Sequence, residues 1–150
     1  MHKQHDYQFH ALLHSADLVE DRLREKLTPL DIRPKQARVL SALDILGSVS
    51  QAQLAREIYV TAGSMSTMVT RLEKLGLISR ARHPDERRSD VLSLTEVGKS
   101  QLKGIHQTWK EMDEYIEKTI GHKKALMLLE LTEELRLALG GQVPGDKTRD

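Results

Sequence analysis

The chain contains no cysteine. Disulfides, thiolate nucleophiles, thiol redox sensing and cysteine-ligated zinc are therefore excluded together. No apolar run approaches the ~20 residues needed to span a bilayer. The N-terminus, Met-His-Lys-Gln-His-Asp, lacks the apolar stretch of a signal peptide, so a cytoplasmic location is expected. There is no Gly-rich phosphate loop, no nucleophile elbow and no internal repeat. No spacing of histidine, aspartate and serine argues for a triad, so neither an enzyme nor a cofactor is expected. Charge of one sign is lacking as well, the formal net charge being +1. Any nucleic-acid reading must come from local arrangement rather than overall basicity.

What is present is a soluble composition, 39% apolar and 30% charged over 150 residues, with strong helical periodicity. Phe9, Leu12, Leu13, Ala16, Val19, Leu23 and Leu27 recur at three- and four-residue steps, predicting one long helix from about Asp6 to Leu27. Thr28-Pro29 ends it. A second helix opens with Pro34 in its first turn, turns Ala37, Leu40, Leu43 and Leu46 inward, and stops at Gly47. Ser50 and Gln53 have capping-box spacing for a third, with Leu54, Ala55 and Ile58 inside. Thr61 caps a fourth that runs to about Leu75, with Met65, Val69 and Leu72 inside and Gly76 as a left-handed cap. Residues 77–82 and 90–94 read as two short strands around a charged hairpin tip, His83 to Ser89. Thr95 then caps a helix to about Ile120, Gly121 breaks it, and a last helix covers His122 to Leu139. The tail 140–150 has the composition of a disordered segment.

Helix, short turn, helix and charged hairpin is an arrangement suited to duplex DNA. A helix fits a major groove ~12 Å wide and meets base edges with its N-terminal residues. Here those residues are Thr61, Ala62, Gly63, Ser64, Ser66 and Thr67, all small, so that the backbone can come close and the hydroxyls can bond bases or phosphates. Arg71 and Lys74 follow at phosphate-contacting positions. Ser50 and Gln51 at the preceding helix start, and Arg82 on the hairpin, complete the set with Arg87 and Arg88 at the tip. Arginines there suit the electronegative minor groove. Taken singly, each of these residues is more often just solvated; the order and spacing carry the argument.

The strings Leu54-Ala55, Val60-Thr61, Arg71-Leu72-Glu73-Lys74-Leu75-Gly76-Leu77-Ile78-Ser79-Arg80, Asp85-Glu86-Arg87-Arg88-Ser89 and Leu94-Thr95-Glu96-Val97-Gly98 resemble the multiple-antibiotic-resistance regulator (MarR) family. The resemblance covers nearly the whole chain. It implies a mainly α fold, an α+β winged helix-turn-helix with about six helices and a small β-hairpin wing. It also implies a division into an N-terminal dimerisation helix (1–33), a DNA-binding lobe (34–95) and C-terminal dimerisation helices (96–139). Glu86 and Arg88 match the acidic residue and the arginine that organise the family's wing tip, although aspartate is commoner at the first position. His83 is a second departure, standing where an acid is common.

The resemblance further implies a homodimer on a pseudo-palindromic operator, most simply a repressor released by a small aromatic or phenolic effector. Leu102, Ile105, Trp109, Met112 and Ile116 form a heptad-like seam on a helix ~40 Å long. This seam is expected to meet a partner, with Phe9, Leu126 and Leu129 joining the interface; packing within the chain is the competing reading. An effector cleft would draw on His10, His14, Arg38 and Trp109, an aromatic and cations suited to an aromatic anion, while Trp109 as plain core is the bland alternative. His10 and His14 are four apart, with His2 and His5 upstream, but no cysteine or nearby carboxylate completes a metal set, and none is assigned. Two other functions fit the sequence less well. One is an effector-independent architectural or counter-silencing DNA-binding protein. The other is an adaptor, against which the small hydroxyl residues of the fourth helix argue.

Overall fold

The computed structural model describes residues 7–82 and 90–146. Helix α1 (Gln8–Leu27) runs into a 3-10 turn at Thr28–Leu30, and α2 (Pro34–Leu46) follows. Asp31 closes that turn in the left-handed region at φ 53°, where aspartate is better tolerated than most residues. Pro34 starts α2 as expected, and the Arg33 N–H donates to Gln36 Oε1 at 3.1 Å. Gly47, at φ 79°, ends the helix.

Next come β1 (Val49–Ser50), α3 (Gln51–Glu57) and α4 (Ala62–Lys74). The Ser50 and Thr61 hydroxyls cap α3 and α4, accepting from the Gln53 and Ser64 N–H groups at 3.1 Å each. Strands β2 (Ile78–Arg82) and β3 (Asp90–Leu94) form the expected hairpin, and β1 adds a third, antiparallel strand in the order β1-β3-β2. Its pairing, Val49 with Leu92 and Ser50 with Val91, ties the start of α3 to the hairpin. Thr95 caps α5 (Glu96–Ile120) through Gly98 N–H at 3.0 Å, and α6 (His122–Ala138) follows. The fold is therefore mainly α, six helices among the described residues with a small antiparallel sheet.

One core holds the lobe together. Leu40, Leu43, Leu54, Met65, Val69, Leu72, Leu92 and Ile105 are fully buried where α2, α3, α4, the sheet and the first half of α5 meet. Gln101 Nε2 donates to Leu30 O at 2.6 Å, drawing the 3-10 turn onto α5, where Gly104 leaves room for the Leu30 methyl groups. By contrast, α1 buries only Leu27 and α6 buries none of its residues.

Along the α5 seam, Leu102, Ile105 and Met112 are 4%, 0% and 6% exposed within a single chain, so the competing reading, packing within the chain, accounts for their burial. The three-four spacing is satisfied by α1, α2 and the 3-10 turn, which pack against α5 from the same chain. Residues 140–146, where composition suggests disorder, lie beside α2 and the turn after α3: Tyr59 Oη donates to Gly140 O at 3.4 Å, and Gly145 sits close against Ile45.

Candidate nucleic-acid interface

Helix α4 turns Met65, Val69 and Leu72 into the core and leaves Thr61, Ala62, Gly63, Ser64, Ser66, Thr67, Thr70, Arg71 and Lys74 exposed. Nothing stands within 4 Å of where a Cβ on Gly63 would lie, so the first turn presents bare backbone. The hydroxyls divide by state. Thr67 donates to Gly63 O at 3.2 Å and Thr70 to Ser66 O at 2.9 Å. Their protons are thus used, and their oxygens face outward as acceptors. Ser64 and Ser66 have no side-chain partner among the described residues and can both donate and accept. Such a face can bond base edges of either polarity.

Not every predicted contact is free. Ser50 spends its hydroxyl oxygen on the α3 cap, and Gln51 Oε1 accepts from Arg80 Nη2 at 3.3 Å. Arg71 is paired with Asp31 at 3.1 Å. Lys74 and Arg82 are exposed without a carboxylate partner among the described residues. Glu86, Arg87 and Arg88, together with His83, lie outside the described residues.

Sequence reasoning missed Arg80. Its guanidinium reaches Glu73 at 2.9 Å on α4, Asp90 at 3.8 Å on β3 and Gln51 on α3. One side chain thereby fixes the hairpin base against both helices of the helix-turn-helix. Glu73 and Arg80, opposite charges seven apart across a Gly turn, were the signal that could have found it.

The proposed effector residues are spread over three elements. His10 and His14 are exposed on α1, with His10 against the Tyr7 and Phe9 rings at 5.4 and 4.2 Å. Arg38 is exposed on α2, and Trp109 is half-buried against the core with the His106 ring 5.6 Å away. Two clefts of the chain are lined by other residues. The larger, ~790 Å³, lies between α1, the start of α2 and the outer side of α4. The smaller, ~470 Å³, is apolar and runs between α1, α5 and α6, with Leu12, Val19, Ile116, Leu126 and Leu129 on its walls. Of the residues expected at a dimer interface, Phe9, Ile116, Leu126 and Leu129 are accessible there or beside it.

Two close-packed helices beside a small antiparallel sheet, with the polar face of α4 turned outward, define a winged helix-turn-helix fold. The comparisons with known proteins agree. The MarR family model matches residues 30–89. The HTH-type transcriptional regulator FarR of Neisseria gonorrhoeae is 28% identical over 125 residues, 83% of this chain and 86% of its own. The multiple antibiotic resistance protein MarR of Escherichia coli K12 is 30% identical over 97 residues, 64% of this chain and 67% of its own. A mutant E. coli MarR complexed with operator DNA matches with a TM-score of 0.74 and 25% identity over 83% of this chain and 91% of that one. NadR in complex with 4-hydroxyphenylacetate matches with a TM-score of 0.67 and 27% identity over 90% of this chain and 96% of that one. The chain belongs to the MarR family. It is a DNA-binding transcription regulator, not an enzyme.

Proposed function

We propose that the chain works in the cytoplasm as a homodimeric repressor that reads a pseudo-palindromic operator through α4 and the hairpin, and that a small aromatic or phenolic acid releases it. The observation that carries this reading is the outer face of α4. It is small, hydroxylated and unobstructed over its first two turns, which suits close approach to base edges. Homodimerisation is supported by the apolar residues that α1 and α6 leave exposed, Phe9, Leu12, Val19, Leu126 and Leu129 among them. Two such helices have no core of their own to cover them. Release by an aromatic acid is supported by the likeness to NadR, which holds 4-hydroxyphenylacetate.

Selection of bound duplexes from a random pool tests the operator claim. The winners should carry inverted half-sites with centres roughly one helical turn, about 10 base pairs, apart. Recovery of no preferred sequence, or of a single unrepeated half-site, would overturn it. Thermal melting with a panel of aromatic carboxylates tests release. A saturable stabilisation that also lowers operator affinity is expected; none across the panel favours an effector-independent, architectural role.

A further inference from the structure

The ~790 Å³ cleft has the reading helix as one wall: Gly63, Ser64, Thr67, Met68 and Arg71 line it from α4. Across it stand Arg33 and Lys35 at the start of α2, with Glu20 and Arg24 on α1. The four cations differ in availability. Arg24 is held by Asp21 at 2.8 Å and Glu20 at 3.6 Å, and Arg71 by Asp31 at 3.1 Å. Arg33 and Lys35 are exposed and have no carboxylate partner among the described residues. Two unneutralised cations therefore face the flank of the helix that reads DNA.

A helix about 10–12 Å across in a groove ~12 Å wide has a phosphate strand along each flank. On one flank of α4, Glu73 is bound to Arg80 at the base of the hairpin. On the other flank lies this open cleft. We infer that Arg33 and Lys35 hold the phosphodiester backbone of the second strand, so that the start of α2 is part of the DNA interface. The inference rests on the DNA-reading role of α4 and deepens it. The occupant is the backbone of the same duplex, because the cleft shares its wall with the reading face and its unpaired charge is positive. Contacts of this kind position the protein and carry no sequence information.

The test is a salt titration of duplex binding by the full chain, comparing the unaltered protein with R33Q/K35Q and with K118Q on α5 as a control. The slope of log Kobs against log salt is expected to shallow by about 0.9 per lost phosphate contact, or about 3.6 for two positions on both subunits of a dimer. Affinity at low salt should fall by roughly tenfold or more, equally for selected and scrambled duplexes, while K118Q matches the unaltered protein. Arg33 and Lys35 are exposed, and an unchanged melting temperature shows that the variant folds. An unchanged slope in folded R33Q/K35Q overturns the inference and leaves the reading of α4 intact. Should inorganic phosphate stabilise the unaltered protein saturably with that slope still unchanged, the cleft holds a free anion and the inference is again overturned. Absence of any duplex binding by the unaltered protein would instead remove the DNA reading itself.

Discussion

Arg71 of the reading helix and Asp31 of the turn before α2, forty positions apart, form an ion pair at 3.1 Å on the protein surface. The carboxylate neutralises the guanidinium, which in the proposed reading of α4 would otherwise meet a phosphate. Asp31→Asn removes that competitor, and asparagine is among the residues best suited to the left-handed backbone at φ 53°. Both partners are well exposed, so the pair contributes less than about 1 kcal/mol to stability. The expected outcome is a nearly unchanged melting temperature, duplex affinity raised a few-fold and a salt slope steeper by about 0.9 per subunit. Anisotropy titrations at several salt concentrations measure both quantities; weaker binding by the variant would mean that Asp31 orients Arg71 rather than occupying it.

Arg80 acts differently, as a positioning residue. Its contacts to Glu73, Asp90 and Gln51 connect α4, β3 and α3, and each partner is at least a third exposed or only half-buried. Arg80→Gln should therefore lower stability by about 1 kcal/mol or less. Operator affinity should nevertheless fall by roughly tenfold, because the hairpin is no longer held at a fixed angle to the reading helix and must be ordered on binding. Calorimetry and anisotropy on the same sample separate the two effects. Equal, small changes in both would reduce Arg80 to an ordinary surface cation.

Helix ends were the most legible part of this sequence because their signals are local. Ser50, Thr61 and Thr95 cap with their own side chains, and Gly47, Gly76 and Gly121 take the positive φ that stops a helix. The outward face of α4 was legible for the same reason, since Met65, Val69 and Leu72 fix its orientation through periodicity alone. Strand β1 was not, because two residues have no readable alternation and pair only with β3, some forty positions later. The α5 seam shows a different limit. Spacing identifies which residues share a face, but it does not say whether α1 of the same chain or another copy covers them. The pairing of Arg71 with Asp31 was hidden likewise, since it depends on where the 3-10 turn returns the chain.

Gly98 and Gly104 sit on the same helix and should respond in opposite ways to a methyl group. A Cβ at Gly98 would collide with the Leu77 carbonyl oxygen, a backbone atom held by the Thr95 N–H at 3.1 Å. Thr95 Oγ1 also donates to Gly76 O at 2.6 Å, so the junction between α4, β2 and α5 has little freedom to open. At Gly104 the nearest atoms are Leu30 methyl groups at 3.3 and 3.4 Å, the movable ends of a flexible side chain. Gly98→Ala is expected to cost about 3 kcal/mol or more through overpacking. Gly104→Ala should be close to neutral, since the gain in helix propensity of about 1 kcal/mol offsets a small adjustment of Leu30. Urea denaturation midpoints compare them directly, and equal midpoints would contradict the tight junction.

Leu12 on α1 and Leu129 on α6 face the same apolar cleft and are 43% and 51% exposed in a single chain. Neither takes part in the core of the DNA-binding lobe, so charged replacements there leave that core intact. If a second copy covers this face, L12E/L129E places four carboxylates per dimer in an apolar interface, where unpaired charge is strongly disfavoured. The solution mass should halve at micromolar concentration, while circular dichroism keeps its helical signal. Operator affinity should then fall by roughly 10²- to 10⁴-fold, because two tethered reading heads act with a high effective concentration and single heads do not. Binding to an isolated half-site should change little, which distinguishes loss of the dimer from damage to α4. Retention of the dimer mass would show that the copies meet on another surface, and loss of half-site binding would show that the substitutions reach the lobe.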